Sequence, residues 1–301
     1  QSGQLHRQPL LLLGGGSNIL FTKDVDGLVV KINITGREIL FQDEEIALVR
    51  VAAGETWDEF VAWSLEQGFN GLENLSLIPG NIGSSPIQNI GAYGIEVKDC
   101  VEEVEVMYLA DGRLKLLSHA ECRFAYRDSI FKHELKGKVA ILSVTFRLNK
   151  SEKLNLAYGA ISRELEVMDI TAPTSSDVRE AVCQIRKSKL PDPAILGNAG
   201  SFFKNPTASF EIYNNLVLKF PSLPSYPQAN GSYKLAAGWL IEQCGWKGFR
   251  VGDAGVHAAQ ALVLVNYGTA TGKELLALAT EIQQSVLAKF GIKLEMEVNI
   301  L

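Results

Sequence analysis

The spacing of apolar residues predicts a first half rich in strands. Leu10–Leu13 is predicted to be a short buried strand, and strands at 27–34 and 47–52 are predicted from β-branched residues and partial alternation. Residues 101–117 alternate, turn at an Asp-Gly pair and alternate again, as in a hairpin, and VAILSVTFRL at 139–148 is the strongest strand pattern. Few helices interrupt these strands, so the pattern indicates an α+β fold and not a regular βαβ succession.

Helical periodicity is strongest in three places. Thr56 and Glu59 match a capping box before an apolar stripe that Gly68 ends. Residues 175–189 place apolar residues on one helical face, and Thr271 begins a long helix that ends at Gly291.

The remaining elements follow a break in the helical pattern. Pro191 and Pro193 stop the helix at 175–189, and we predict a domain boundary there. Beyond it we predict a helix near 236–244, a strand at 261–266 and an alternating terminal strand at 294–301.

The stretch LENLSLIPGNIGSSPIQNIGAYG at 72–94 does not look like an ordinary surface loop. It carries a single charge, at Glu73, and repeated glycines separated by small, amide and apolar residues. Glycine reaches positive φ at low cost, and backbone N–H groups in such a loop can form a nest for an anion. Since long buried loops are usually functional, we expect this one to wrap a large, phosphorylated, partly apolar ligand. A dinucleotide fits that description.

Gly14-Gly15-Gly16-Ser17-Asn18 follows the first predicted strand and is a second possible phosphate cradle. It is not a Rossmann fingerprint, because Ile19 stands where the last glycine of G-x-G-x-x-G is required. Alone, this loop is a weak signal.

Composition excludes several classes of protein. The 301 residues favour two domains, and a net charge of -5 gives no basic footprint for nucleic acid. No apolar run approaches the ~18 residues that a membrane span needs. The 4 cysteines and 4 histidines are scattered, which favours reduced thiols in the cytoplasm and gives no metal-ligand pattern.

Three polar segments can carry chemistry. Arg127, in RFAYRDS, can bind a carboxylate through its planar fork, although a surface pair with Asp128 is the simpler interpretation. Ser201, in GNAGSFFKNP, is predicted to lie on a tight turn beside an apolar wall. Ser201 and Lys204 also spell S-x-x-K, but the S-D-N and K-T-G partners of serine acyl-transfer enzymes do not occur. Glu297 lies on the polar face of the terminal strand, where most carboxylates are simply solvated.

Together these segments resemble the UDP-N-acetylenolpyruvoylglucosamine reductase family over essentially the whole chain. The resemblance rests on LGGGSNILF at 13–21, the blocks within 71–94, ECRFAYRDSIFKHE at 121–134, KLPDP at 189–193, GNAGSFFKNP at 197–206 and KLAAGWLIEQCG at 234–245. NLAYG at 155–159 is similar to the inserted tyrosine-bearing loop of one branch of the family.

The resemblance implies a vanillyl-alcohol-oxidase-like (PCMH-type) FAD-binding region at 1–190, a smaller α+β substrate-binding domain at 191–291, and a terminal strand at 292–301 that returns to the active site. The chain begins at Gln1 and not at methionine, and we expect a preceding segment that completes the FAD-binding region. FAD would be bound non-covalently and reduced by NADPH. The residues expected to contact it are Gly14, Gly15, Gly16, Ser17, Asn18, Pro79, Gly80, Gly83, Ser84, Ser85, Asn89, Gly91, Ala92 and Tyr93.

The same resemblance implies a ping-pong reduction of the enolpyruvyl group of a UDP-sugar in peptidoglycan precursor synthesis. After hydride transfer from flavin N5, Ser201 would donate a proton, and Arg127 and Glu297 would stabilise the enolate-like charge. If Glu297 donates a hydrogen bond it must be protonated, which burial near apolar groups favours. The residues expected to hold the substrate are Tyr126, Tyr158, Lys189, Asn205 and Gln260.

The expected protein is therefore a cytoplasmic, monomeric flavoenzyme that binds a nucleotide sugar, with no metal, nucleic acid or membrane partner. Two alternatives remain open from the residues alone. One is a protein without redox activity that binds a nucleotide sugar, and the other is a serine acyl-transfer enzyme that uses Ser201.

Overall fold

A computed structural model describes residues 9–301, and the chain divides into two compact units. The first unit comprises Gln1–Gly16 and Val25–Ser188, and the second comprises Ser17–Asp24 and Lys189–Leu301. The patterning gave no sign that a short early segment, Ser17–Asp24, belongs with the second unit.

Strands and helices alternate irregularly along the chain, as an α+β fold requires. The strands are β1 (Leu10–Leu13), β2 (Ile19–Leu20), β3 (Leu28–Lys31), β4 (Arg37–Gln42), β5 (Ile46–Ala52), β6 (Gly91–Ala92), β7 (Ile95–Glu96), β8 (Val101–Tyr108), β9 (Leu114–Ser118), β10 (Val139–Asn149), β11 (Gly197–Ser201), β12 (Thr207–Ala208), β13 (Ser225–Pro227), β14 (Tyr233–Leu235), β15 (Arg250–Val251), β16 (Ala254–Val256), β17 (Val263–Asn266) and β18 (Asn299–Ile300). The α-helices are α1 (Trp57–Glu66), α2 (His119–Cys122), α3 (Gly159–Val167), α4 (Ser175–Lys189), α5 (Phe210–Lys219), α6 (Ala237–Gln243) and α7 (Gly272–Phe290).

A five-stranded antiparallel sheet in the order β4-β5-β10-β8-β9 organises the first unit. Its core is aromatic where α1 packs on it, since Phe146 of β10 lies 5.9 Å from Trp57 and 5.0 Å from Phe60 between ring centroids. The predicted hairpin and the predicted long strand are confirmed as β8–β9 and β10. β1 is confirmed as a strand, parallel to β3, but it is half-buried and not buried as its leucine run suggested.

A smaller apolar cluster holds α3 and α4 against each other within the first unit. Ile161 and Leu165 of α3 pack with Val178, Val182 and Ile185 of α4. Helix α4 has the predicted bounds, and its inner face is the predicted stripe.

The second unit combines a four-stranded sheet, β11-β17-β16-β15, with a three-stranded sheet, β12-β14-β13. Helix α7 begins at the predicted Thr271–Glu274 capping box and ends at Gly291, whose φ of 68° is typical of a helix C-terminus. The terminal segment joins this unit because β18 pairs in parallel with β2.

Two predictions of local structure are wrong in detail. Thr56 precedes α1, but its side chain makes no cap hydrogen bond, and the Trp57 N–H at the first helical position donates to the Gly80 carbonyl. The terminal strand alternates in burial as predicted, yet only Asn299–Ile300 is regular strand, with an isolated bridge from Met296 to Phe203. Within residues 9–301, no helix has the length and apolar content to span a membrane.

Candidate active site

Two glycine-rich loops lie against each other in the first unit. A Cβ built on Gly15 would lie 2.5 Å from Asn81 Oδ1 and 3.0 Å from Gly80 Cα. Gly16 and Gly80 both have positive φ, at 72° and 119°. The loop after β1 therefore packs backbone to backbone on the stretch at 72–94, a convergence that the sequence predicted only as two separate cradles.

The donors in these loops suit the phosphates of FAD. Gly15 and Gly16 are exposed, and within residues 9–301 their backbone N–H groups donate to no protein acceptor. Successive exposed backbone N–H groups, with the second glycine at positive φ, can form the kind of nest that binds diphosphate. The residues present thus fit the predicted cofactor.

The serines of the second loop have a structural task. Ile82–Ser84 form a 3-10 helix, in which the Ser84 and Ser85 hydroxyls donate to the carbonyls of Asn81 and Ile82 at 2.7 and 2.8 Å. A Cβ on Gly83 would lie 2.6 Å from Ala53 Cβ, so glycine is needed there for packing against β5. Ser85 is buried, and any contact from it to a cofactor would come through its backbone.

A tight hairpin, β6–β7, ends the glycine-rich stretch. Its two turn residues, Tyr93 and Gly94, both have positive φ, at 49° and 83°, as a type I′ turn demands. Asn89, also at positive φ, precedes the hairpin, and its side chain donates to Ala125 O at 2.9 Å and accepts from the Lys98 N–H at 3.1 Å. Tyr93 and Asn89 hold conformations that only surrounding contacts can maintain.

Arg127 lies over this hairpin and not on an open surface. Its guanidinium donates to Gly91 O at 2.6 Å and to Asn89 O at 3.4 Å, and it lies 5.4 Å from the centre of the Tyr126 ring. A Cβ on Gly91 would lie 2.9 Å from Arg127 Nη1, so glycine leaves the room that the guanidinium fills. Asp128 pairs with His133 at 2.7 Å, while the Arg127 guanidinium also donates to backbone carbonyls of the hairpin region.

Tyr158 joins the same part of the first unit. Its ring contacts Tyr93 edge to face at 5.3 Å between centroids, and it remains 41% exposed. The Asn74 side chain donates to Tyr93 O at 3.0 Å and to Asn155 O at 2.9 Å, which joins the inserted tyrosine loop to the hairpin. Tyr126, Arg127 and Tyr158 are therefore all neighbours of the β6–β7 hairpin or of residues bonded to it.

In the second unit, Ser201 lies at a β-bulge. The register between β11 and β17 shifts between Asn198 and Ser201, and Gly200 in the bulge has a φ of 72°. The Gly200 N–H donates to Asn198 Oδ1 at 3.0 Å. Bulges re-aim side chains beside active sites, and Ser201 is exposed. The tight turn predicted for this serine takes this form.

Glu297 is placed next to the Ser201 strand by the backbone. The Glu297 N–H donates to Phe202 O at 2.8 Å, and the Lys204 N–H donates to Glu295 O at 2.9 Å. On its other side, the Asn18 side chain donates to Glu297 O at 3.3 Å. Within the second unit, two of the three predicted catalytic residues are thus neighbours.

The predicted substrate residues of the second unit fall into two groups. Asn205 Oδ1 accepts the Ala237 N–H at 2.9 Å, and Gln260 Oε1 lies 3.2 Å from a Cβ built on Gly238, so both side chains meet the start of α6. Lys189 is exposed at the end of α4.

Sequence reasoning missed the supports of these residues. It assigned Ser17 and Asn18 to the cofactor loop, which stays a prediction, and it missed that both belong to the second unit, where the Asn18 side chain donates to Glu297 O. It also missed Asp58 and Arg186, which bind the strained segment at Leu77, and Arg179, which binds Asp58. Each partner is distant in sequence, so no local pattern signals the contact.

Comparisons with known proteins cover both halves of the chain. A sequence model described as the C-terminal domain of UDP-N-acetylenolpyruvoylglucosamine reductase matches residues 192–301, and one described as an FAD binding domain matches residues 4–118. The UDP-N-acetylenolpyruvoylglucosamine reductase of Chromobacterium violaceum is 56% identical over 99% of this chain and 88% of its own length. The Pseudomonas aeruginosa protein of the same name is 53% identical over 97% of this chain and 86% of its own length.

A solved structure supports the fold. The crystal structure of UDP-N-acetylenolpyruvylglucosamine reductase from Thermus caldophilus is similar to this chain with a TM-score of 0.64, at 23% identity, over 99% of this chain and 87% of its own.

Proposed function

This chain belongs to the UDP-N-acetylenolpyruvoylglucosamine reductase family, and we propose that it reduces the enolpyruvyl group of UDP-N-acetylglucosamine-enolpyruvate to give UDP-N-acetylmuramate. It is an oxidoreductase and a flavoprotein of peptidoglycan precursor synthesis, with FAD as cofactor and NADPH as reductant. We place this activity in the cytoplasm.

One observation carries the assignment of residues, namely the hydrogen bond from the Glu297 N–H to Phe202 O at 2.8 Å. It pairs the backbone of Glu297 with the residue that follows Ser201, although the two segments are far apart in the chain. This backbone pairing supports the proposal that a hydroxyl and a carboxyl from these two segments act on one reacting carbon, as proton donor and electrostatic partner.

Bound FAD would supply the hydride for reduction of the enolpyruvyl group, with NADPH as the source of that hydride, and the glycine-rich loops at Gly15 and Gly80 would hold the cofactor. Ser201 donates its hydroxyl proton to the carbon next to the carboxylate. A serine hydroxyl is a weak acid, but a carbanion is a strong base, so the transfer needs no neighbouring histidine. The exposed position on the bulge supports this role, because the hydroxyl is accessible to a substrate.

Arg127 and Glu297 stabilise the negative charge that develops on the enolate-like intermediate. Arg127 is suited to this task because two backbone carbonyls orient its guanidinium while the charge remains. Fixed donors of this kind contribute about 3–4 kcal/mol each to transition-state stabilisation.

The remaining residues hold the nucleotide sugar. Tyr158 offers a partly exposed ring for the uracil or sugar face, and Tyr126 lies beside Arg127. Asn205 and Gln260 supply amide groups near α6, and Lys189 supplies a cation for the diphosphate.

A spectrum tests the proposal directly. Purified protein supplied with FAD should turn yellow, NADPH should bleach the flavin absorption under anaerobic conditions, and UDP-N-acetylglucosamine-enolpyruvate should restore it with release of UDP-N-acetylmuramate. A colourless protein that takes up no FAD would be a nucleotide-sugar binder or another enzyme, and the proposal would be wrong.

A further inference from the structure

The first unit contains a half-buried arginine that none of the proposed steps uses. Arg186 lies on the inner face of α4, one residue from the apolar cluster that attaches this helix. Its Nε donates to Leu77 O at 3.2 Å, and its side chain also hydrogen-bonds the Tyr93 hydroxyl. A guanidinium has a rigid fork of donors, so it can hold two acceptors at a fixed separation.

Both acceptors belong to residues whose backbone is strained. Leu77 and Tyr93 have φ of 57° and 49°, where residues other than glycine are rarely found. Leu77 lies two residues before Pro79 and begins the turn of the second glycine-rich loop, and Tyr93 is in the β6–β7 hairpin. A strained backbone conformation persists only where neighbouring contacts hold it in place, and Arg186 contacts both of these residues.

The electrostatics of the pair agree with a specific contact. Burial raises the pKa of the Tyr93 phenol, and the hydrogen bond from Arg186 opposes that rise. Burial lowers the pKa of Arg186, and Tyr93 opposes that change in turn. Each group thus offsets part of the desolvation of the other.

From these contacts, we propose that Arg186 is a positioning residue for the reductase reaction. Through Leu77 it fixes the loop predicted to hold FAD, and through Tyr93 it fixes the ring against which Tyr158 packs. This inference rests on the proposed function, since it gives Arg186 a role in holding the cofactor and the nucleotide sugar assigned there.

The two contacts predict separable effects. Loss of the Tyr93 contact should raise the KM for the nucleotide sugar about tenfold and leave kcat nearly unchanged, as expected when a hydrogen bond to a charged group is lost. Loss of the Leu77 contact should weaken FAD binding. Arg186→Lys keeps the charge but cannot hold both acceptors, whereas Tyr93→Phe removes only the hydroxyl.

A double-mutant cycle tests the coupling. We expect Arg186→Lys and Tyr93→Phe each to raise KM, and the double variant to be no worse than Arg186→Lys alone. The FAD dissociation constant, measured by flavin fluorescence, should rise in both variants that carry Arg186→Lys and not in Tyr93→Phe. If the KM effects multiply, or if FAD affinity is the same in all three variants, Arg186 does not act as proposed.

Arg179 provides a matched control on the same helix. It donates to Asp58 and, within residues 9–301, makes no hydrogen bond with Tyr93, so the effects of Arg179→Lys and Tyr93→Phe should combine multiplicatively. Coupling of the same size in this second cycle would mean that the changes in KM come from a general loosening of α4 and not from the Arg186–Tyr93 contact. That result would overturn the proposal. If Arg186→Lys does not fold, Arg186→Gln replaces it in the same cycle, because one amide can satisfy only one of the two acceptors.

Measurements on the wild-type protein distinguish failure of the proposed function from failure of the role proposed for Arg186. A wild type that binds no FAD contradicts the proposed function itself. In that case the flavin-free protein still tests the contact, since the pKa of Tyr93, read from the ultraviolet titration difference against Tyr93→Phe, should rise in Arg186→Gln. A wild type that turns over, with uncoupled variants, contradicts only the role of Arg186.

Discussion

In the first unit, six described residues other than glycine have positive φ, whereas every described positive-φ residue of the second unit is a glycine. Four of the six, Leu77, Asn89, Tyr93 and Arg127, belong to the candidate site. The second unit instead presents Ser201 and Glu297 from strand-like segments, with a single bulge to aim the serine. The candidate residues of the first unit therefore depend on unusual backbone, whereas those of the second unit are side chains on ordinary backbone.

This difference has an energetic consequence. Each strained residue costs about 1–3 kcal/mol, which the surrounding structure must offset. In the first unit, side chains bind to the strained backbone: Asp58 and Arg186 at Leu77, and Asn74 at Tyr93. Substitutions that remove these supporting side chains should thus alter geometry, whereas substitution of Ser201 or Glu297 should alter chemistry.

The largest effect should come from the second unit. Ser201→Ala removes the proposed proton donor, and we expect the half-reaction that consumes the nucleotide sugar to slow about a thousandfold or more. Flavin reduction by NADPH should stay normal, as stopped-flow absorbance at the flavin band would measure. Ser232→Ala, which changes a serine in an exposed turn of the same unit, is the control. Loss of the NADPH step in Ser201→Ala would contradict the role given to this serine.

Arg127→Lys should have the next largest effect. A lysine keeps the charge but cannot donate to Gly91 O and also present a planar fork to the enolate. We expect a loss of about a hundredfold in the rate of the same half-reaction, with an unchanged FAD dissociation constant. A variant with normal turnover would show that a point charge is enough to stabilise the enolate and that the planar fork of Arg127 is not needed.

Gly91→Ala tests whether backbone space controls the arginine. The added methyl would lie 2.9 Å from Arg127 Nη1, so the guanidinium must move, and we expect turnover to fall roughly tenfold to a hundredfold. Gly197→Ala is the matched control, because its Cβ would meet Asn266 at an ordinary 3.7 Å and its φ is not positive. Equal losses in the two variants would remove the special role of Gly91.

Much of this arrangement could be predicted from the sequence, but only where the signal is local. The bounds of α4, the hairpin β8–β9 and the caps of α7 follow from periodicity and turn residues within each segment. The contacts of Asn18 with Glu297 and of Arg186 with Leu77 join residues 279 and 109 positions apart. Side-chain hydrogen bonds over such distances leave no periodic pattern. The resemblance to a family supplied the candidate residues, while their supports became apparent only in the structure.

Asp58→Asn should lower the stability of the first unit in a pH-dependent way. Burial raises the pKa of Asp58, but hydrogen bonds from Arg179 and from the Leu77 N–H outweigh it, so the pKa lies below 3.8. A depressed folded-state pKa contributes stability above the unfolded value, and this contribution is lost as pH falls through the folded value. We expect the substitution to cost about 1–2 kcal/mol at pH 7.

Urea unfolding of wild type and Asp58→Asn at several pH values measures this cost. The difference in unfolding free energy should shrink below pH 3.8, as the wild-type carboxyl also becomes protonated. A difference that stays constant from neutral to acidic pH would mean that shape, and not charge, accounts for the contact.

The smallest effect is expected at two helix starts that have the same capping-box pattern in the sequence. Thr271 caps α7 with its hydroxyl and receives a reciprocal contact from Glu274, whereas Thr56 makes no such bond before α1. At α1 the Trp57 N–H donates to Gly80 O at 3.0 Å, so the glycine-rich loop satisfies the first N–H of the helix, while the Thr56 side chain makes no cap bond that its loss could remove. Thr271→Ala should therefore cost about 1 kcal/mol of unfolding free energy and Thr56→Ala only a few tenths. Equal costs in urea unfolding would mean that the Thr56 side chain stabilises α1 as much as the bonded Thr271 cap stabilises α7, and the difference between these two helix starts would have no energetic consequence.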